Sequence, residues 1–526
     1  MSNKKLFAPA GKAPITDSNN EAGGKAYAFS SEHALAQYAA TGTFNGTYYA
    51  SAETQLSKVL SLCSEVSPLF VAQTALFCRE RGFMKDMPAL LAAYLAKVDV
   101  KLLGVIFPRV IDNGKMLRNF VQIVRSGVCG RKSFGTAPKR LARAWFASRA
   151  PEAIFRQSIG QSPSFADVIK LVRPSPKNDN GETDATREAL YGYLIGKDIA
   201  DEKLPPLVRA FEAYKKGEGE LPEVPFEMLT ALKLDTAAWT AIAKQMTFTQ
   251  TRMNLNTLRR HGVLDNGKVV SLVAAKLRDP SAIAKARVLP YQLMSAYRAA
   301  ANMPGEIALA LQQAMETAIL NVPAIEGKIY ICPDVSGSMQ SPVTGMRGSA
   351  TTAVRCIDVA ALIAASFLRR NPSAEVVPFS DDVVKMKKPL NPLDSVMSNA
   401  ALLASLPSGG TACSAPLRHL NERRMKGDLV VYVSDNQSWA DFARTGTPAR
   451  GSTPMAEEWA RFRSKNPNAK LVLIDLQPYG STQVGDANQV LNVGGFSDAV
   501  FEVISLFMKG ELGAGHWINR IREVAV

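Results

Sequence analysis

The hydropathy pattern changes character at Pro323, and that change constrains the fold more than any other feature of the chain. Downstream of it, short β-rich runs at 328–333, 374–379, 428–434, 470–476 and 489–493 alternate with helical stretches. Between the first two runs, Val354, Ile357, Ala361, Ala364 and Leu368 step by 3, 4, 3 and 4, which places them on one helix face. Strands alternating with helices predict a doubly wound α/β domain with a parallel sheet. Ligands of such sheets sit beyond the carboxyl ends of the strands. Upstream, residues 30–325 read as helix after helix, with no sustained strand alternation. Ile307, Leu311, Ala314, Ala318 and Val322 form one amphipathic stripe, and further helices are expected at 89–97, 101–125, 139–146 and 281–301. Pro88, Pro138, Pro205, Pro290 and Pro304 punctuate them. Many short helices without a fixed period suggest a degenerate α-solenoid of stacked helical pairs. The expected division is therefore a helical-repeat domain over 1–325 and an α/β domain over 326–526.

A chain of 526 residues is long enough for several domains, and 47% apolar with 21% charged residues is the balance of a globular protein. No run reaches the ~18 apolar residues of a membrane helix. The opening MSNKKLFAPAGKAPITDSNN has lysines but no apolar core behind them, so no secretory signal is expected. Cys63, Cys78, Cys129, Cys332, Cys356 and Cys413 are scattered and form no C-x-x-C pair, which argues against a zinc or disulfide framework. Reduced thiols in a cytoplasmic protein are the expectation.

Net charge is +15, and it is unevenly placed. Residues 1–326 hold 41 basic against 29 acidic side chains, while 327–526 hold 21 against 18. Residues 101–150 alone carry 11 basic side chains and one acid, Asp112. A basic surface of this kind suits a polyanion, nucleic acid above all.

Three loops of the α/β half are rich in oxygen donors. The first strand runs into IYICPDVSGSMQS, with Asp334, Ser336 and Ser338 spaced D-x-S-x-S. LPSGGTACSAPL follows the second and carries Thr411; the third runs into LVVYVSDNQSW, with Asp435. Hydroxyls and carboxylates without imidazole or thiolate favour Mg²⁺ or a similar hard divalent cation. Gly337, Gly409 and Gly410 permit tight turns around one point. This order of motifs resembles the metal-ion-dependent adhesion site of von Willebrand factor A (vWA) domains. The resemblance implies that Ser336, Ser338 and Thr411 touch the ion, that Asp334 and Asp435 support it through water, and that an acidic group of a partner takes an open position.

The helical half resembles a second module. The segment NNEAGGKAYAFSSEHALAQYAATGTFNGTYYAS at 19–51 is similar to the start of the TROVE module of Ro autoantigen proteins. FGTAPKRLARAWF at 134–146 and TFTQTRMNLNTLRRHGV at 247–263 are similar to later parts of it. The order, TROVE first and vWA last, is also that of the bacterial members. The resemblance implies a ring of HEAT-like repeats that binds noncoding Y RNA on a basic face and admits single-stranded ends of structured or misfolded RNA. It further implies an adaptor role with an exoribonuclease in RNA quality control, ribosomal RNA maturation and stress.

The residues agree with an RNA partner. Arg131, Lys132, Lys139, Arg140 and Arg143 cluster, with Lys139 and Arg143 at helical spacing; Arg252, Arg259 and Arg260 form a second group near His261. Structured RNA is recognised largely through backbone and shape, so such groups suffice without a sequence-reading motif. Where animal members carry a histidine-bearing helix, this chain reads SPSFADVIKLVRPSPKN with Phe165, leaving Lys170 and Arg173 as its cations. The stretch 198–235 is expected to be a surface segment away from RNA. The expected function is noncatalytic, with no membrane or DNA partner. The alternatives are a metal-dependent protein-interaction module and a metal-dependent nuclease, but nucleases gather more carboxylates and no G-x-x-x-x-G-K-[ST] loop is present.

Overall fold

The computed structural model describes residues 13–526 except 43, 132, 179, 230–231, 287, 289, 301, 347–353, 442–450, 496 and 513–515. The chain forms two compact units. One holds residues 67–277 with 303–307 and the last two residues; the other holds the described residues up to Val66 together with 278–302 and 308–524. This differs from a single cut near residue 325, because the first fifty described residues pack against the α/β fold.

Among its described residues the first of these units has only helices as regular structure, apart from one isolated bridge between Lys177 and Thr183. The expected helix at 101–125 is two, Val100–Val110 and Gly114–Ser126. Asp112 and Asn113 interrupt it, and the Asn113 side chain accepts from the Met116 amide as an N-cap. The stretch 198–235 is less peripheral than expected. Its helix Pro206–Lys215 buries Leu207, Val208 and Phe211, with Phe211 edge-on to Phe155.

Part of the basic charge of this unit is spent at helix C-termini, where carbonyls lack intrahelical partners. Arg131 donates to the Ala96 carbonyl, and Arg143 Nε to the Val172 carbonyl at 2.6 Å. Arg187 donates to the Phe146 and Arg149 carbonyls. Lys276 Nζ reaches the Ala243, Lys244 and Met246 carbonyls at 2.5–3.0 Å. These cations serve packing between helices, so net charge overstates the polyanion-facing surface.

In the other unit a five-stranded parallel sheet is built from β3 (Ile329–Pro333), β4 (Glu375–Val376), β5 (Leu429–Ser434), β6 (Lys470–Asp475) and β8 (Val490–Gly494). Its order is β4-β3-β5-β6-β8. All residues of β3 and β5 are buried, as continuous apolar strands covered by helices must be. The chain leaves β3 toward β4 on one side and returns to β5 on the other. The crevice between the ends of β3 and β5 is therefore the topological switch point.

A second, three-stranded antiparallel sheet links β1 (Ser18–Asn19), β2 (Lys25–Ala28) and β7 (Ser481–Thr482), with Tyr27 opposite Thr482. The helix Ser31–Thr41 follows and sends Gln37 into the α/β domain, where its amide donates to the buried Asp475 carboxylate. His33 Nδ1 lies 2.8 Å from Asp486. Among the described residues no helix is long and apolar enough to cross a membrane.

Candidate metal centre and basic surface

Asp334 follows β3 and Asp435 follows β5, so both stand at the switch point. Asp334, Ser336, Ser338, Thr411 and Asp435 are all at most 5% exposed. The Asp334 carboxylate accepts from the Ser336 amide at 2.8 Å and from Ser434 Oγ at 2.5 Å. Ser336 Oγ and Ser338 Oγ are 3.3 Å apart. The Thr411 loop is joined to this turn by the Gly337 amide, which donates to the Gly409 carbonyl at 2.8 Å. The Thr411 carbonyl in turn accepts from the Trp439 and Ala440 amides, in the loop after Asp435. Three chain segments widely separated in sequence thus meet at one point.

Burial and the neighbouring Asp435 charge push the Asp334 carboxyl up to about 7, against the hydrogen bonds from Ser434 and Ser336. Burial raises Asp435 as well. Asp475, at the end of the next strand, is raised well above the usual range by burial first and by Asp435 second. Among the described residues none of these carboxylates has an ion-pair partner; hydroxyls and amides alone offset their burial. Two adjacent buried acids without a cation are costly. The site therefore suits a bound cation, and its hard oxygen donors fit Mg²⁺. No three His, Cys, Asp or Glu side chains converge among the described residues, so a carboxylate-rich or imidazole site is not offered elsewhere.

The sequence did not point to the residues that support these loops from the other end of the chain. Asn20 Nδ2 donates to the Ser438 carbonyl at 2.7 Å, and the Glu21 amide donates to Gln437 Oε1 at 2.7 Å. Ser438 and Ser414 both donate to Asp441. The only sequence signal was their membership of the quoted segments 19–51 and LVVYVSDNQSW.

The basic candidates divide into two kinds. Arg140 and Arg143 are exposed and Lys139 half-buried on the helix Thr136–Ala147; Lys170 and Arg173 are exposed at the end of the helix Phe165–Val172. The bond from Arg143 to the Val172 carbonyl joins these two helices, so cations from both share one region. Arg131 is half-buried and committed to Ala96, and Lys132 lies outside the described residues. Arg259 and Arg260 are exposed at the C-terminus of the helix Leu255–Arg260, Arg252 is half-buried, and His261 stacks on Trp239 at 4.4 Å. Phe165 is 2% exposed and packs edge-on against Trp145 and Phe146, a core position. Replacing Arg143 by alanine is expected to cost about 1–2 kcal/mol in this unit through the lost carbonyl bond, read by urea titration. An unchanged midpoint would show that solvent replaces the guanidinium without loss.

Residues 328–508 match the family model described as the Ro60 vWA domain. A relative from Deinococcus radiodurans named RNA-binding protein RO60 is 25% identical over 94% of this chain and 95% of its own length. A Caenorhabditis elegans protein of the same name is 21% identical over 80% of this chain and 65% of its own. The crystal structure of the Deinococcus radiodurans RO (RSR) protein shares the fold, with a TM-score of 0.61, 21% identity and coverage of 92% of this chain and all of that one. With a Ro60-type vWA domain over residues 328–508, a helical N-terminal region and an end-to-end match to a relative named RNA-binding protein RO60, this chain is similar to Ro proteins over nearly its whole length.

Proposed function

We propose that the chain is a noncatalytic RNA-binding scaffold, holding noncoding Y RNA and the single-stranded ends of structured RNA on its helical unit. The observation that carries this reading is the end-to-end match to a relative named for RNA binding. The exposed cations on the adjoining helices 136–147 and 165–172 support it, since phosphate contacts need exposed charge and little else. The metal centre serves as a docking point: Ser336, Ser338 and Thr411 hold Mg²⁺, with Asp334 and Asp435 behind them. The bound ion would supply a positive charge with an open position for an acidic group, such as one presented by an exoribonuclease. Two carboxylates and three hydroxyls suit such holding better than the several carboxylates of metal-dependent phosphodiester cleavage. A cytoplasmic role in RNA quality control, ribosomal RNA maturation and stress follows from this reading.

The test is the pair Arg140→Glu with Lys170→Glu, neither of which caps a helix in the structure. RNA affinity should fall at least tenfold, and the slope of log affinity against log salt should flatten by roughly 2. An unchanged slope in a gel-shift titration would remove this face from the RNA surface. Hydrolysis of RNA by the purified chain, lost in Asp334→Ala, would favour the nuclease alternative.

A further inference from the structure

We infer that the turn at 20–24, from the opposite end of the chain, is a clamp on the metal centre. Asn20 is its positioning residue: by holding the loop that follows Asp435, it sets Asp435 and Thr411 in register for one cation. This inference rests on the metal reading above and places part of the centre outside the α/β sequence.

Asn20 is 6% exposed and uses both ends of its side-chain amide. Its Oδ1 accepts from the Gly24 amide at 2.7 Å, and the Asn20 amide donates to the Gly24 carbonyl at 2.8 Å, which closes the turn. Gly23 within the turn has φ 83°, a value that favours glycine. With the oxygen so committed, Nδ2 is left to donate to the Ser438 carbonyl, at 2.7 Å. The Glu21 amide adds a second arm, donating to Gln437 Oε1 at 2.7 Å. Two consecutive residues of the turn thus hold two consecutive residues of the loop.

The loop passes this hold to both sides of the centre. On one side, Gln437 Nε2 donates to the Asp435 carbonyl at 3.2 Å and the Gln437 amide to Asp435 Oδ1 at 3.3 Å. On the other, the Trp439 and Ala440 amides donate to the Thr411 carbonyl at 3.1 and 3.0 Å, and the Cys413 amide donates to Ser438 Oγ at 3.0 Å. Asn436, with φ 61°, is tied by its Nδ2 to Thr482, which pairs with Tyr27 in the small sheet. Asp435, Asn436, Gln437 and Ser438 are all buried and polar, so hydrogen bonds rather than apolar packing fix this stretch. Loss of the Asn20 arm leaves the Ser438 carbonyl buried without that partner and lets the loop shift. A binding constellation has to be held to about 0.5 Å, so a small shift weakens the hold on an ion. The coupling is mutual: an ion that draws Asp435 and Thr411 together also tightens the turn at 20–24.

Isothermal titration of Mn²⁺ and Mg²⁺ into the full chain tests the inference. Asn20→Leu nearly keeps the side-chain size and removes both its bonds, and affinity should fall roughly tenfold. Glu32→Lys breaks the ion pair of the same N-terminal segment with Arg522, which is on the helix His516–Arg522 and not on the loop. It should lower the unfolding midpoint and leave ion affinity unchanged. Hydrogen exchange gives a second readout that needs no change at residue 20. The Glu21 and Gly24 amides should slow on ion addition in the parent, and not in Ser336→Ala with Ser338→Ala. If the parent binds neither ion, the metal reading fails and this inference with it. If the parent binds and Asn20→Leu binds equally well, the inference alone is overturned. The same holds if Glu32→Lys weakens binding as much, or if the ion leaves the two amides of the parent unchanged.

Discussion

Replacing Asp358 by alanine is expected to destabilise the α/β unit by about 3 kcal/mol at neutral pH, within the range for breaking a buried charge pair. Asp358 is fully buried at the start of the helix Cys356–Arg370, near the metal turn. Arg298 Nη2 and Arg355 Nη2 each donate to its Oδ1 at 2.8 Å, and the Arg355 amide donates to Oδ2 at 2.8 Å. Burial pushes this carboxyl up, but the bonds from the two arginines win and hold it at about 2. Because the folded value lies below the unfolded one of about 3.9, its contribution is present in full above pH ~5 and is lost as pH falls through about 2. Urea titrations from pH 7 to pH 2 should show a parent that loses about 2–3 kcal/mol from this source, and an Asp358→Asn variant that starts lower and loses correspondingly less. The arginines are more than a third exposed, so solvent screening sets the lower limit. A loss under about 1 kcal/mol in Asp358→Ala would show that screening has removed most of the effect.

The second large effect belongs to the metal. In the presence of Mg²⁺ at a hundred times its dissociation constant, binding to the folded state alone adds about 2.7 kcal/mol. For a unit of this size that is a rise of roughly 5–10 °C in midpoint. Ser336→Ala with Ser338→Ala is expected to abolish that rise and the bound ion together, read by thermal unfolding and elemental analysis. Retained stoichiometric metal would exclude the two serines as ligands. RNA affinity of the same variant is expected to match the parent, since the cations proposed for RNA lie on the helical unit. A parallel loss of RNA binding would instead make the ion part of the RNA surface.

The α/β half was legible because its signals are local. A parallel strand buried on both faces must be a short apolar run, so 328–333, 428–434, 470–476 and 489–493 each met a strand within about one residue. The second expected strand shrank to Glu375–Val376, although the Val377 and Phe379 amides still donate to the Ile331 and Pro333 carbonyls beyond it. The donors Asp334, Ser336, Ser338, Thr411 and Asp435 were legible for the same reason: strand order alone carries them to one crevice. The helical half was legible as helices and less so in their ends, because a turn such as 111–113 interrupts an apolar stripe without changing its phase.

Charge was the least transferable signal. Arg131 and Arg143 are read in the sequence as RNA-facing cations, and in the fold each also satisfies a helix-end carbonyl, because a guanidinium bonds an orphan carbonyl as readily as a phosphate. Which role a given side chain takes depends on the neighbouring helix, and composition holds no record of that. Phe165 is the converse case. Its place in a functional helix of relatives suggested a changed contact, and the fold makes it a core residue between Trp145 and Phe146.

The sequence by itself determined two folding patterns and one donor set, since hydropathy period and strand-end loops are properties of neighbouring residues. The tertiary structure decided what stands around that donor set. Asn20 and Gln37 reach the strand-end loops around it from the far end of the chain, beside a three-stranded sheet whose strands of two to four residues carry no pattern of their own. Such contacts form only after both partners are folded, so their energy belongs to the assembled domain and to no segment of the sequence.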